Sequence, residues 1–294
     1  SFVDAQLRGA NFNSANLAHA NLANAAAQGA SFCGTVLKGA NLTSVKLEGA
    51  NISPGTALLP DDLQAALRLH ALWIDTFGER GARADLRGVD LRKQNLRGVY
   101  LSGADLRGAR LGGANLAHAL LTLADLRDAD LEGADIRGAE VNGANMNGAN
   151  LARARLTDSE GDPLEILGKD GKKTGQRQVT RFSAANLSDA HLDGAQLRDS
   201  LFTEANLSRS TFDSAKLAGA NFENADLSGS SLRRADLSDA NLTGANLTGS
   251  QMDFVRLRNA ELSGAETSNA SLVGADVTGT LLQNNDRSQG KASS

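Results

Sequence analysis

Residues 84–111 read ADLRGVDLRKQNLRGVYLSGADLRGARL, with an apolar residue at every fifth position: Leu86, Leu91, Leu96, Leu101, Leu106 and Leu111. The series runs on through Leu116, Leu121, Leu126, Leu131, Ile136, Val141, Met146 and Leu151 to Leu156. Ala stands two residues before most of its members, as at Ala104, Ala109 and Ala114. The same period extends from Phe2 to Ile52, broken at Ala27, and from Phe182 to Leu282, broken at Thr267. The three registers hold 47 central positions.

A period of five fits neither an α-helix at 3.6 nor a strand at 2. On a helix, residues five apart step by about 140°, which smears the Leu series over every face. A chain that turns a corner every five residues instead keeps each central residue inside, with the small Ala before it also facing in. Gly, Asn, Asp and Ser then supply the turn conformations. A second echo gives the number of sides. Phe182, Phe202 and Phe222 are spaced by twenty, as are Phe12 and Phe32, and Ser210, Ser230 and Ser250 replace Ala at that spacing. Every fourth pentad therefore lies over its predecessor, in coils about 4.8 Å apart. About twelve coils make a rod about 55 Å long. Each buried central Leu contributes about 2 kcal/mol before entropy is counted.

The pentads Ala84-Asp85-Leu86-Arg87-Gly88 and Ala245-Asn246-Leu247-Thr248-Gly249 match the motif A(D/N)LXX. In these residues the chain resembles the pentapeptide-repeat family over roughly 80% of its length. The resemblance implies an all-β fold, a right-handed quadrilateral β-helix. Three repeat blocks (1–53, 84–157 and 182–282) are expected to form one continuous solenoid, followed by a polar tail at 283–294.

Two segments interrupt the period. Within 54–83, Asp61 to Phe77 reads as an amphipathic helix, with Leu63, Leu67, Trp73, Ile74 and Phe77 at three- and four-residue steps, Pro60 before it and Gly78 after it. It either packs on the rod, covering the break in register, or docks a partner through Trp73 and Phe77. The second segment, 158–181, is turn-rich at its start and has a hairpin signal at Asp170-Gly171. It reads as a projecting loop or β-hairpin carrying Lys169, Lys172, Lys173 and Arg177. Loops that leave a uniform scaffold often carry specificity.

Chemistry is sparse. His19, His70, His118 and His191 lie in different parts of the chain without metal-ligand spacing, and the single Cys33 excludes an intrachain disulfide. No G-x-S-x-G, P-loop or strand-to-helix G-x-G-x-x-G unit is present. The reading is not an enzyme, with no cofactor and no metal. Outward positions carry ladders instead: Asp85, Asp105 and Asp125, beside Arg87, Arg107 and Arg127. These rows form a self-neutralising solvated face or a recognition stripe for a charged partner.

Net charge is −4, and residues 183–282 carry seven basic and thirteen acidic side chains, so direct binding to nucleic acid is not expected. No apolar run reaches the roughly 20 residues of a membrane span, and the chain opens without a secretory leader, which points to the cytoplasm unless it is a secreted effector. Phe2 is already a central residue, so the first coil edge is bare. A homodimer partner or an upstream domain is expected to cover it. The leading reading is a non-enzymatic bacterial scaffold for an unidentified protein partner, alone or as a module of a larger effector or secretion-associated protein. The alternative, which the family resemblance suggests, is a DNA mimic that binds DNA gyrase or a related topoisomerase and confers toxin or antibiotic resistance. The acidic last block favours it; the mixed Arg/Asp face and the lack of a C-terminal dimerisation helix do not.

Overall fold

The computed structural model describes residues 1–280 apart from 13, 14, 16, 18, 33, 34, 36–39, 49, 51–58 and 169–170. Ile52, Cys33, Lys169, Asp170 and the tail 283–294 lie outside the described residues.

The pentad Ala104–Gly108 shows why this sequence makes one straight side and a corner. Its five backbone N–H groups are all taken. Ala104 donates to the Leu101 carbonyl at 2.9 Å, closing the preceding corner. Asp105 donates to Ala84 of the coil below at 3.0 Å, while Leu106 and Gly108 donate to Asp125 and Arg127 of the coil above at 2.7 and 2.9 Å. The fifth, Arg107 N–H, goes to Asp105 Oδ1 at 3.3 Å within the pentad. The Asp or Asn before each central Leu thus accepts the one N–H that coil stacking leaves over, as Asn145, Asn206 and Asn246 also do. The corner residue two after Leu has positive φ, +62° at Gly108, the sign pattern of a type II turn.

Parallel bridges join residues twenty apart, as in Asp85↔Asp105 and Arg256↔Asp276, so the coil has four sides; across the second insertion the spacing grows to 36, as in Asn145↔Arg181 and Glu160↔Gln196. The central residues and their Ala partners are buried along the axis. Phe182, Phe202 and Phe222 stack at 4.8 Å, and Phe212 meets Phe202 edge-on at 6.2 Å. One core runs from Leu59 to Leu262. Residues 1–50 form a second core around Leu22, Ala27 and Phe32, with their own bridges such as Gln6↔Ala26. Ala27, where the apolar period weakens, is still fully buried. The described ladder joins the second and third blocks. The expected continuation of the first block into them runs through 51–58, which lie outside the described residues.

Helix α1 is Asp61–Asp75, ending two residues before the expected Phe77. Thr76 is its C-cap, and Gly78 N–H returns to the Trp73 carbonyl at 2.7 Å. Leu63, Leu67, His70 and Ala71 are buried, the first two in the long core beside Ala84 and Leu86. Gly81 is obligatory in the return strand: a Cβ there would sit 2.2 Å from the Leu69 carbonyl, at φ +79°.

The second insertion is a two-stranded antiparallel hairpin, β1 (Leu164–Leu167) and β2 (Lys173–Gln178). It occupies less of the chain than 158–181. Glu160 still bridges Glu140 and Gln196, and Arg181 already bridges Asn145 and Leu201. Gly161 takes the central position that a Leu would fill; a Cβ there would lie 2.6 Å from Leu197 Cδ2. Thr180 is buried beside it, its hydroxyl within 2.8 Å of the Gly161 carbonyl and 3.2 Å of the Gly143 N–H.

Candidate functional site

The end of α1 and two successive coils enclose an apolar groove of about 340 Å³. Trp73, Ile74, Phe77 and Gly78 form one wall, and Ser102, Gly103, Thr122 and Leu123 form the floor and the other wall. Gly103 sits at the corner with φ +71°, and a Cβ on it would be in ordinary contact with the Trp73 ring at 3.7 Å. Arg83 Nε donates to the Gly103 carbonyl at the same corner.

Three large apolar side chains meet water here against the hydrophobic trend. Phe77 is 98% exposed and Leu123 50% exposed, and both hold positive φ (+52° and +60°), which favours Gly or Asn. Trp73 is half-buried and stacks on His70 with ring centroids 5.7 Å apart. Keeping Leu at a left-handed corner costs of order 1 kcal/mol relative to the Gly or Asn used elsewhere.

The hairpin borders the same corner of the rod. Gly143 lies one coil beyond Leu123, and a Cβ on it would meet Leu123 Cδ2 at 2.9 Å and Gln178 Cγ of β2 at 2.8 Å. The two insertions, about ninety residues apart in sequence, therefore flank Leu123 from opposite sides.

His70 is fully buried, and its Nδ1 accepts the Ala84 N–H at 3.1 Å. Burial lowers its pKa to about 4, against the pull of the Ser102 backbone and with Arg83 adding to the depression. Its role is to hold α1 against the first coil.

The charged candidates fare differently. Arg87, Arg107 and Arg127 each fork onto the Asp two residues earlier, with Nη2–Oδ2 distances of 2.5, 2.6 and 2.7 Å to Asp85, Asp105 and Asp125. These hydrogen bonds hold the Asp85 carboxyl down to about 2 and those of Asp105 and Asp125 below the usual range. The stripe is self-neutralised. On the hairpin, Arg177 reaches Glu165 at 3.4 Å and Asp199 at 2.8 Å, and Lys173 lies 3.9 Å from Glu165. Lys172 is exposed, its carbonyl accepting the Gly168 N–H at 2.7 Å. Lys169 is outside the described residues. Of the residues singled out from sequence, Trp73 and Phe77 come together at the groove, while the Arg ladder and, on the hairpin, Arg177 and Lys173 are engaged by carboxylates that do not line it. Leu123 was legible in principle, as a Leu at a corner position held mostly by Gly or a polar residue. Gly103 carried no signal, because it follows the repeat.

Among the described residues no three His, Cys, Asp or Glu side chains converge as metal ligands. No helix among them is long and apolar enough to cross a membrane.

The chain is similar to several solved structures. HetL, a pentapeptide repeat protein involved in heterocyst differentiation regulation from the cyanobacterium Nostoc sp. Strain PCC 7120, is 29% identical over 72% of this chain and 94% of its own, with a TM-score of 0.34. Rfr23 from the cyanobacterium Cyanothece 51142 is 28% identical over 48% of this chain and 89% of its own, with a TM-score of 0.24. QnrB1, a plasmid-mediated fluoroquinolone resistance protein, is 20% identical over 70% of this chain and 86% of its own, with a TM-score of 0.33. No curated protein matches in sequence. The family model described as Pentapeptide repeats matches in eight copies over residues 1–39, 15–53, 84–122, 124–160, 180–219, 215–253 and 250–284. With the five-residue period, the twenty-residue ladder and this match in agreement, the chain belongs to the pentapeptide-repeat family.

Proposed function

We propose that this chain is a non-enzymatic protein-interaction scaffold from a bacterium, a right-handed four-sided rod, serving alone or as a module of a larger effector or secretion-associated protein. The groove between the end of α1 and the two coils that carry Gly103 and Leu123 is its docking site. The observation that carries this reading is the cluster of Trp73, Phe77 and Leu123, exposed in two cases at unfavourable backbone geometry, on a rod whose other large apolar residues are mostly inside. Exposed aromatic anchors beside a preformed apolar groove are what protein interfaces use as hot spots.

The DNA-mimic reading needs a free acidic surface. Many carboxylates of the last block are engaged with the next coil: Asp189 with Arg209, Asp236 with Arg256, Asp253 with Ser271 and Arg233, and Asp276 with Arg258. This favours the scaffold. Affinity capture with the whole chain, run beside Phe77→Ser and Leu123→Asn variants, tests it: a partner retained only by the unmodified chain is expected. A gyrase supercoiling assay covers the alternative, and inhibition at micromolar protein that survives both substitutions would overturn the groove reading.

A further inference from the structure

Glu140 and Glu160 are acidic side chains of this part of the rod that stack on one another with no cation between them. Asp85, Asp90, Asp105, Asp125 and Asp135 each hold an Arg at 2.5–2.7 Å, and Glu132 holds Arg153. Neither Glu140 nor Glu160 has an ion-pair partner or a side-chain hydrogen bond among the described residues. The ladder nevertheless bridges them directly, one above the other, about 5 Å apart. Partial burial, and then the charge of Glu160, raise the Glu140 carboxyl above its ordinary range.

The pair sits beside the groove. Tyr100, Leu120, Glu140 and Glu160 form one continuous row of bridges, and Tyr100 and Leu120 immediately precede the stretches that carry Ser102 and Thr122. Burial raises the Tyr100 phenol, followed by the charges of Asp75 on α1 and Glu140. Along the axis the surface changes from apolar (Trp73, Tyr100, Leu123) to acidic (Glu140, Glu160) within about 14 Å, three coil spacings.

We propose that the groove takes an extended segment of a protein partner in which an aromatic or aliphatic anchor is followed, about two to four residues on, by Lys or Arg. This rests on the scaffold reading above and adds the chemistry of the occupant. The anchor fills the space between Trp73, Phe77 and Leu123. An extended chain advances about 3.3 Å per residue, so two to four residues bring its cations level with Glu140 and Glu160. A cation there relieves the repulsion between two stacked carboxylates that no cation among the described residues pairs with, and charge complementarity of this kind sets register and direction.

The test is selection of a random peptide library on the full chain, counter-selected on the Leu123→Asn variant, with recovered peptides measured by fluorescence polarisation. Peptides sharing an anchor with basic residues on one side are expected, binding a Glu140→Gln/Glu160→Gln double variant about tenfold more weakly and losing affinity with salt. Recovered peptides without basic residues, bound equally by the double variant but lost on Leu123→Asn, overturn the charge assignment and leave the groove as the docking site. Peptides indifferent to Leu123→Asn, or no groove-dependent peptide at all, overturn both.

Discussion

His70 Nδ1 accepts the backbone N–H of Ala84 at 3.1 Å, so one buried imidazole ties the inserted helix to the first pentad of the long ladder. Only the neutral ring can accept this bond. In that neutral ring Nε2 carries the hydrogen, so a second proton must go to Nδ1, where it would face the Ala84 N–H and leave a charged ring buried, which is costly.

Acid should therefore loosen α1. The folded-state pKa of His70 is lowered from 6.5 to about 4, so its contribution is complete above the unfolded value near 6.5 and is lost as pH falls from there towards 4. The full linkage amounts to roughly 2–4 kcal/mol. Trp73, the one Trp and stacked on His70, reports it. Its fluorescence is expected to change in that window, and the change should vanish in His70→Asn, which keeps an acceptor but does not titrate. A Trp73 signal flat from pH 7 to 4 in the unmodified chain would show that helix docking does not depend on the neutral ring.

Leu123→Asn separates stability from docking. Asn tolerates the left-handed corner better than Leu, and the leucine side chain is half exposed, so thermal stability should hold or rise by about 0.5–1 kcal/mol. Partner or peptide binding should fall at the same time. A substantial drop in melting temperature would mean that Leu123 is a packing residue.

Restoring the repeat at Gly161 should be harmful. Leu or Val fills the other centres on this side of the rod, but at 161 even a Cβ would approach Leu197 Cδ2 to 2.6 Å, Val141 Cγ2 to 3.0 Å and Thr180 Oγ1 to 3.1 Å. Gly161→Leu is expected to cost about 1–3 kcal/mol in denaturant unfolding, as overpacking does. Gly161→Leu with stability at or above that of the unmodified chain would refute the packing described here.

Phe202 stacks between Phe182 and Phe222 and meets Phe212 edge-on. Phe202→Ala should cost about 3–5 kcal/mol through the cavity it leaves. Phe202→Leu places the repeat's usual residue in the same slot and should cost less than half as much. Equal losses in urea titrations would show that ring stacking, rather than filled volume, holds this segment.

The coil was legible because it is periodic. Leu86 to Leu156 and the Phe182–Phe202–Phe222 echo each state a spacing, and the backbone bonds follow from it. The helix was legible from Leu63 and Leu67, but its end was misplaced because Phe77 continues the apolar rhythm while sitting outside the helix at positive φ. The site was legible only in its helical half. Leu123 and Gly143 meet the insertions through the coil's third dimension, in which residues twenty apart are neighbours, and a linear pattern does not show which corner a hairpin leans on. Nor does it distinguish Arg87, engaged by Asp85, from the unpaired Glu140, since both look like charges on an outward row.

The placement of α1 and the hairpin also makes the rod a counting device. Gly103, Leu123 and Gly143 share one corner because whole coils separate them. Adding twenty residues between Leu123 and Gly143 would leave both insertions on that corner and widen the gap between them by about 4.8 Å, whereas adding five would carry the hairpin a quarter-turn to the adjacent face. Gene duplication in units of a coil can thus retune the distance between helix and hairpin in fixed increments, while a five-residue insertion puts them on different faces.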